Sequence, residues 1–374
     1  MNKLCAVLLT ACALALSLTA ADAENALKDA FKGRFLVGAA LNPSYFMEEN
    51  SAPAQLVKSQ FSSITPENVL KWASIHPLPE KYDFALPDRY VNFGMKNGMF
   101  TIGHTLVWHG QTPDWVFKDA DGKPVDRDTL LQRMHDHIRT VVGRYKGRVK
   151  GWDVVNEALG ENGALRDSPW RRIIGDDYIA KAFQFAHEAD PSAELYYNDY
   201  GIENAAKRNG AIALLRTLKE QRVPITGVGI QEHVSLDWPA LKDVDEAITE
   251  FGKLGLKVMI TELDVNVLPD RHHAAGNADI TRTESAEAIL NPYVQGLPDD
   301  VQQRLASRYA ALFSTYLKHP GVVTRVTLWG VTDGDSWLNN FPIKGRTNYP
   351  LLFDRESRPK PAFRAVIDAA KASQ

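Results

Sequence analysis

The chain has 374 residues, a formal net charge of −3 and two cysteines. That length admits two or three average domains, but a single α/β barrel commonly runs to about 250 residues and longer with insertions. The near-balanced charge and the lack of a long basic block argue against nucleic acid or an anionic membrane as the main partner.

At the N-terminus, Lys3 precedes a small and apolar run over 4–18, followed by Ala21-Asp22-Ala23. This is the layout of a secretory signal peptide over 1–23, which makes Glu24 the first mature residue and sends the protein to the periplasm or the medium. The run is too short for a membrane span. Leu9-Thr10-Ala11-Cys12 also resembles a lipoprotein box, which makes a lipid anchor at Cys12 the second-ranked alternative. Both cysteines, Cys5 and Cys12, fall in the leader. The mature chain therefore has no disulfide, and its stability must come from its core.

Beyond the leader, apolar β-rich runs recur at 35–41, 61–68, 99–108, 149–157, 195–200, 225–233, 257–264 and 325–333. Each ends in polar residues and is followed by a helical pattern. Eight strands alternating with helices predict a single (β/α)8 TIM barrel with extended βα loops, one catalytic domain over 24–374. Leu130, Met134, Ile138, Val141 and Tyr145 share one helix face, as do Leu241, Val244, Ile248 and Phe251 before Gly255. Leu305, Tyr309, Leu312 and Tyr316 do the same. A long insertion over 268–299 carries Arg271, His272 and His273 and is expected to line a substrate groove. Adjacent histidines without a nearby carboxylate read as solvated loop and not as metal ligands.

Polar residues at the C-terminal ends of barrel strands read as catalytic. Here they are dense: Glu67, Asn68 and Lys71 after the second strand; His104, Trp108, His109 and Gln111 around the third; Asn156 and Glu157 at the fourth. Asn198, Asp199 and Tyr200 follow on the fifth strand, Gln231, Glu232 and His233 on the sixth, Glu262 and Asp264 on the seventh, and Trp329 and Trp337 around the eighth. Glu157 and Glu262 lie on strands that face each other across the mouth. Carboxyls about 5–5.5 Å apart serve a retaining glycosidase, and about 6.5–9.5 Å an inverting one; the sequence does not choose between them. A single glutamate could equally be neutralising an ion-pair network at the rim, but a rim built only for stability has no use for so many uncompensated polar and aromatic groups. A metal-dependent hydrolase using His104, His109, His233 and Asp264 is a rival reading. It lacks the close ligand spacing of such sites. A non-catalytic carbohydrate-binding barrel is another alternative.

These residues resemble the motifs of the glycoside hydrolase family 10 endo-β-1,4-xylanases. The matching stretches are Thr65-Pro66-Glu67-Asn68 with Lys71, His104 to His109 with Gln111, Trp152 to Glu157, Gly229 to His233, and Ile260 to Asp264. Trp329 to Asp333 with Ser336-Trp337, and Pro350 to Asp354, complete the set. The resemblance implies a retaining mechanism with Glu157 as acid/base and Glu262 as nucleophile. Asn156 would bind the 2-hydroxyl of the −1 sugar, and His233 would bridge Glu262 and Asp264. Glu67, Asn68, Lys71, His104, Trp108, Gln111 and Gln231 would be sugar-binding residues, Trp329 and Trp337 aromatic walls, and Tyr200 an aglycone contact. It implies xylan and xylo-oligosaccharides as substrate, no cofactor, no metal and a monomer. A β-1,4-glucanase or a mixed xylanase/glucanase is the alternative within the same chemistry. Gly110 and Gly201 depart from residues frequent in the family, Ser and Asn respectively.

Overall fold

The computed structural model describes residues 26–269 and 289–373. The expected leader with Cys12, and Arg271, His272 and His273, lie outside them. Among the described residues nine strands form: β1 (Leu36–Leu41), β2 (Ser63–Pro66), β3 (Phe100–Val107), β4 (Gly151–Asn156), β5 (Glu194–Asp199), β6 (Gly227–Ile230), β7 (His233–Ser235), β8 (Lys257–Asn266) and β9 (Val323–Leu328). Pairing is parallel throughout. Since β1 pairs with β9 and β6 with β8, eight strands close into a barrel. The short β7 extends the sixth barrel strand and pairs with β8.

One expectation needs correction here. The run over 225–233 is not a continuous strand, because Glu232 takes a left-handed conformation with φ 57°. Its carboxylate turns into the protein, where the hydroxyl of Tyr316 donates to it. The chain then resumes as β7, with His233 in register with Asp264.

The helices pack as their periodicity predicts. In the helix Arg127–Arg144, Leu130, Met134, Ile138 and Val141 are fully buried, and Asp126 caps the first turn by accepting from Thr129 N at 2.8 Å. Burying each such side chain is worth roughly 1.5–3 kcal/mol. In the helix Asp299–Leu317, Leu305, Tyr309, Leu312 and Tyr316 are buried likewise. Among the described residues, no helix is long and apolar enough to cross a membrane.

Inside the barrel, Ile102 of β3, Tyr196 of β5 and Met259 of β8 form a buried cluster apart from the main core. They come from alternate strands of the ring, as layered barrel interiors require. Trp152 of β4 instead joins the main core. Its indole lies across Gly103 of β3, where a Cβ would stand 2.0 Å from the ring. Two further buried groups stabilise the frame. Lys360 Nζ donates to Asp333 Oδ2 at 2.9 Å and Oδ1 at 3.1 Å, and to two backbone carbonyls. His137 stacks on Trp72 at 3.7 Å, and its Nδ1 lies 3.2 Å from Nδ1 of His76. His76 Nε2 lies 3.0 Å from the carbonyl of Pro79, which can only accept. His76 thus carries its proton on Nε2, and His137 donates from Nδ1. Burial holds both imidazoles below the ordinary histidine range, and each ring is further constrained by its neighbours.

Candidate active site

A strand with a strict period of two would send Asp153 and Asn156 to opposite faces. In β4 the register against β5 shifts between Asp153 and Val155, a bulge that absorbs one extra residue. Both polar side chains therefore meet partners inside the barrel. Asp153 Oδ2 lies 2.9 Å from His104 Nδ1, and Asn156 Oδ1 accepts from Asn198 Nδ2 at 2.8 Å. The next residue, Glu157, is left-handed with φ 56°, and its N–H donates to Asn198 O at 2.8 Å. Its carboxylate accepts from Trp108 Nε1 at 2.9 Å, Gln231 Nε2 at 3.1 Å and Asn156 Nδ2 at 3.2 Å.

On β8, Glu262 Oε1 accepts from Asn198 Nδ2 at 2.8 Å, and Oε2 lies 3.2 Å from His233 Nε2. Nδ1 of the same imidazole lies 3.1 Å from Asp264 Oδ2, which also accepts from Trp337 Nε1 at 2.7 Å. Burial alone would raise Glu262. The hydrogen bond from His233, the nearby imidazoles and the Asn198 amide outweigh it and leave the carboxyl below its usual range. Burial would lower His233, but Asp264 and Glu262 on either side carry it up to about 10. The imidazole is thus a cation held between two carboxylates.

Asn198 is fully buried and serves both sides at once. A continuous path runs from Glu157 through Asn156 and Asn198 to Glu262. Asn198 is anchored in turn by Thr261 Oγ1, which donates to its Oδ1 at 2.6 Å. The sequence puts it at a strand end but does not assign it a part; only the pairing of β4, β5 and β8 reveals its place.

The remaining predicted residues assemble around this path. Lys71 Nζ donates to Asn68 at 3.1 Å and Gln111 at 2.9 Å and lies 5.1 Å above the Trp108 ring. Burial lowers its ammonium, opposed by the charges of Glu262, Glu67 and Glu157. Glu67 is raised by burial, against the pull of Lys71 and with a push from Asp335. Trp329 meets His104 edge-on at 5.5 Å and His233 at 6.2 Å. Trp337 lies 4.8 Å from His233 and stacks on the exposed Phe341 at 5.0 Å. Tyr200 is set apart, its hydroxyl accepting from Arg166 at 3.1 Å and its ring covered by Lys207 at 3.4 Å. His109 is not with the other histidines; it lies edge-on to Trp108 at 5.9 Å.

Sequence reasoning misses Asp335, which accepts from Tyr45, from Asn42 at 3.1 Å and from Thr332 at 2.6 Å. It also misses Arg166. Neither position carries a periodic or motif signal, since both sit in irregular loops. Gly110 has a visible use: a Cβ there would stand 2.8 Å from the Trp108 indole. Among the described residues, no three His, Cys, Asp or Glu side chains converge as a metal ion would need.

Two carboxylates at the ends of facing barrel strands, both braced by amides and aromatic rings, define a polar site of the glycoside hydrolase class. Residues 26–369 match the profile of Glycosyl hydrolase family 10, and the chain belongs to that family. It is 44% identical over 350 residues to endo-1,4-beta-xylanase A of Xylanibacter ruminicola, covering 93% of this chain and 95% of that one. To the thermostable celloxylanase of Thermoclostridium stercorarium it is 39% identical over 369 residues, covering 94% and 89%. A solved GH10 endoxylanase from a sugarcane soil metagenome superposes with a TM-score of 0.87 at 43% identity, over 92% of this chain and 99% of that one.

Proposed function

We propose that this glycoside hydrolase is an endo-β-1,4-xylanase that cleaves internal bonds of xylan with retention of anomeric configuration. The observation that carries the reading is the Glu262 carboxyl held by Asn198 and His233 and joined through Asn198 and Asn156 to a second carboxyl at Glu157. Glu262 attacks the anomeric carbon while the bond to the leaving oxygen breaks, and Glu157 gives that oxygen its proton. A water then attacks the same carbon, Glu157 takes the water's proton, and Glu262 is released. His233 and Asn198 keep the nucleophile charged and aimed. Asn156 supplies a hydrogen bond to the 2-hydroxyl that strengthens as positive charge develops on the ring. Lys71, Glu67, Asn68, Gln111 and His104 offer polar partners to the glycone sugars, and Trp329 and Trp337 offer them apolar walls.

The test follows the anomeric configuration of the first product released from a xylo-oligosaccharide by proton NMR. The β-anomer appearing first supports the reading, and the α-anomer appearing first overturns the role of Glu262 as nucleophile. A second reading, a mixed xylanase and β-1,4-glucanase, is favoured by the likeness to the celloxylanase. Reducing-sugar release from xylan and from carboxymethylcellulose separates the two.

A further inference from the structure

Glu157 is the only non-glycine residue of β4 or its adjoining loop, 151–166, held at positive φ, a conformation that costs an ordinary side chain roughly 1 kcal/mol or more. Something must hold it there. Its N–H is bound by the Asn198 carbonyl, and its own carbonyl accepts from Arg166 Nε at 3.0 Å. The same guanidinium donates through Nη2 to Leu159 O at 3.0 Å and to the Tyr200 hydroxyl at 3.1 Å. Arg166 is itself fixed, because its N–H donates to Ala158 O at 2.7 Å and the loop between closes through Gly160 N to Ala164 O at 2.8 Å. Leu159 and Leu165 bridge beside it. This half-buried cation thus donates to two carbonyls of the turn that carries Glu157 and to one hydroxyl.

We infer that Arg166 is a positioning residue that aims the Glu157 carboxyl at the leaving oxygen, so that protonation of the leaving group depends on a side chain that touches no reacting atom. The inference rests on the acid/base reading of Glu157. Bidentate locking of two carbonyls needs the guanidinium fork; a lysine reaches one at a time.

The experiment measures kcat/KM for a series of aryl β-xylobiosides, from 2,4-dinitrophenyl to unsubstituted phenyl, with wild type, Arg166→Met, Arg166→Lys and Glu157→Gln. Good leaving groups need little protonation, so a misaimed acid hurts only the poor ones. Arg166→Met is expected to lose about tenfold or more on the phenyl substrate and under about threefold on the dinitrophenyl one, with Arg166→Lys between it and wild type. Equal losses across the series, or no loss, in both Arg166 variants overturn the inference. If Arg166→Met does not give a native near-UV circular dichroism spectrum, the slope for Arg166→Lys decides by the same criterion. A steep series for Glu157→Gln with a flat one for Arg166 overturns the inference alone; a flat series for Glu157→Gln overturns the acid/base reading as well.

Discussion

Replacing His233 with Gln removes the cation between Glu262 and Asp264 while leaving an amide in its place. The imidazole lies 3.2 Å from Glu262 and 3.1 Å from Asp264, and its side chain is 20% exposed. A hydrogen bond to a charged group is worth roughly 1.5–3 kcal/mol, and one pKa unit corresponds to about 1.36 kcal/mol. With a replacement amide recovering part of the bond, the Glu262 carboxyl should rise by about one unit. On the proposed mechanism the acid limb of the kcat/KM profile on 2,4-dinitrophenyl xylobioside reports Glu262 as the free enzyme's nucleophile, so it should move up by about one pH unit. A limb that stays in place while the rate falls equally at every pH would refute the electrostatic role of His233. Stability gives a second readout with a defined sign. His233 is raised above its unfolded value, so its contribution is present below about pH 6.5 and fades as pH climbs towards 10. Glu262 is lowered, so its contribution is present above about pH 4.3 and fades in acid. The deficit of the variant should thus be largest between about pH 4.5 and 6.5.

Gly103→Ala would place a Cβ 2.0 Å from the Trp152 ring; overpacking of this kind costs about 1–3 kcal/mol, and urea unfolding should give a value at the upper end. Lys360→Met leaves the fully buried Asp333 without its cation. Chemical denaturation should show a loss of about 3–5 kcal/mol, largely recovered in the double variant with Asp333→Leu. His76 and His137 are held neutral in the folded state while their unfolded counterparts take up protons near pH 6.5. Stability should therefore fall as pH drops below that value, and His137→Phe should flatten the slope. An unchanged slope in that variant would exclude the pair as its source.

Much of the barrel is legible in the sequence because its strands are buried, short and terminated by polar residues, while its helices keep a 3.6-residue apolar face. The site residues stand out for a related reason: a carboxylate or amide at a strand end has no packing purpose. What the sequence hides are departures from regular period. The bulge in β4 turns Asp153 and Asn156 to the same side, against the alternation that a strand otherwise obeys. The left-handed Glu232 splits the sixth strand and sends into the core a carboxylate that reads as part of the mouth. Burial and the neighbouring Glu203 raise that carboxyl to about 8. Asp335 and Tyr45 meet across 290 positions of chain, and no local pattern announces such a contact.

The amide bridge at Asn198 also bears on redesign. A glycosynthase is made by deleting the nucleophile so that an activated sugar can be joined without being hydrolysed, and on the proposed mechanism that means shortening Glu262. Doing so strips Asn198 Nδ2 of one of its two acceptors, leaving the amide to Asn156 alone. Gly229 on the next strand leaves room for the amide, since a Cβ there would lie 2.3 Å from Asn198 Oδ1. On that mechanism the substituted enzyme would leave Asn156, the proposed 2-hydroxyl binder, against an amide freed on its other side, so coupling yield should respond to substitution at position 198 together with position 262.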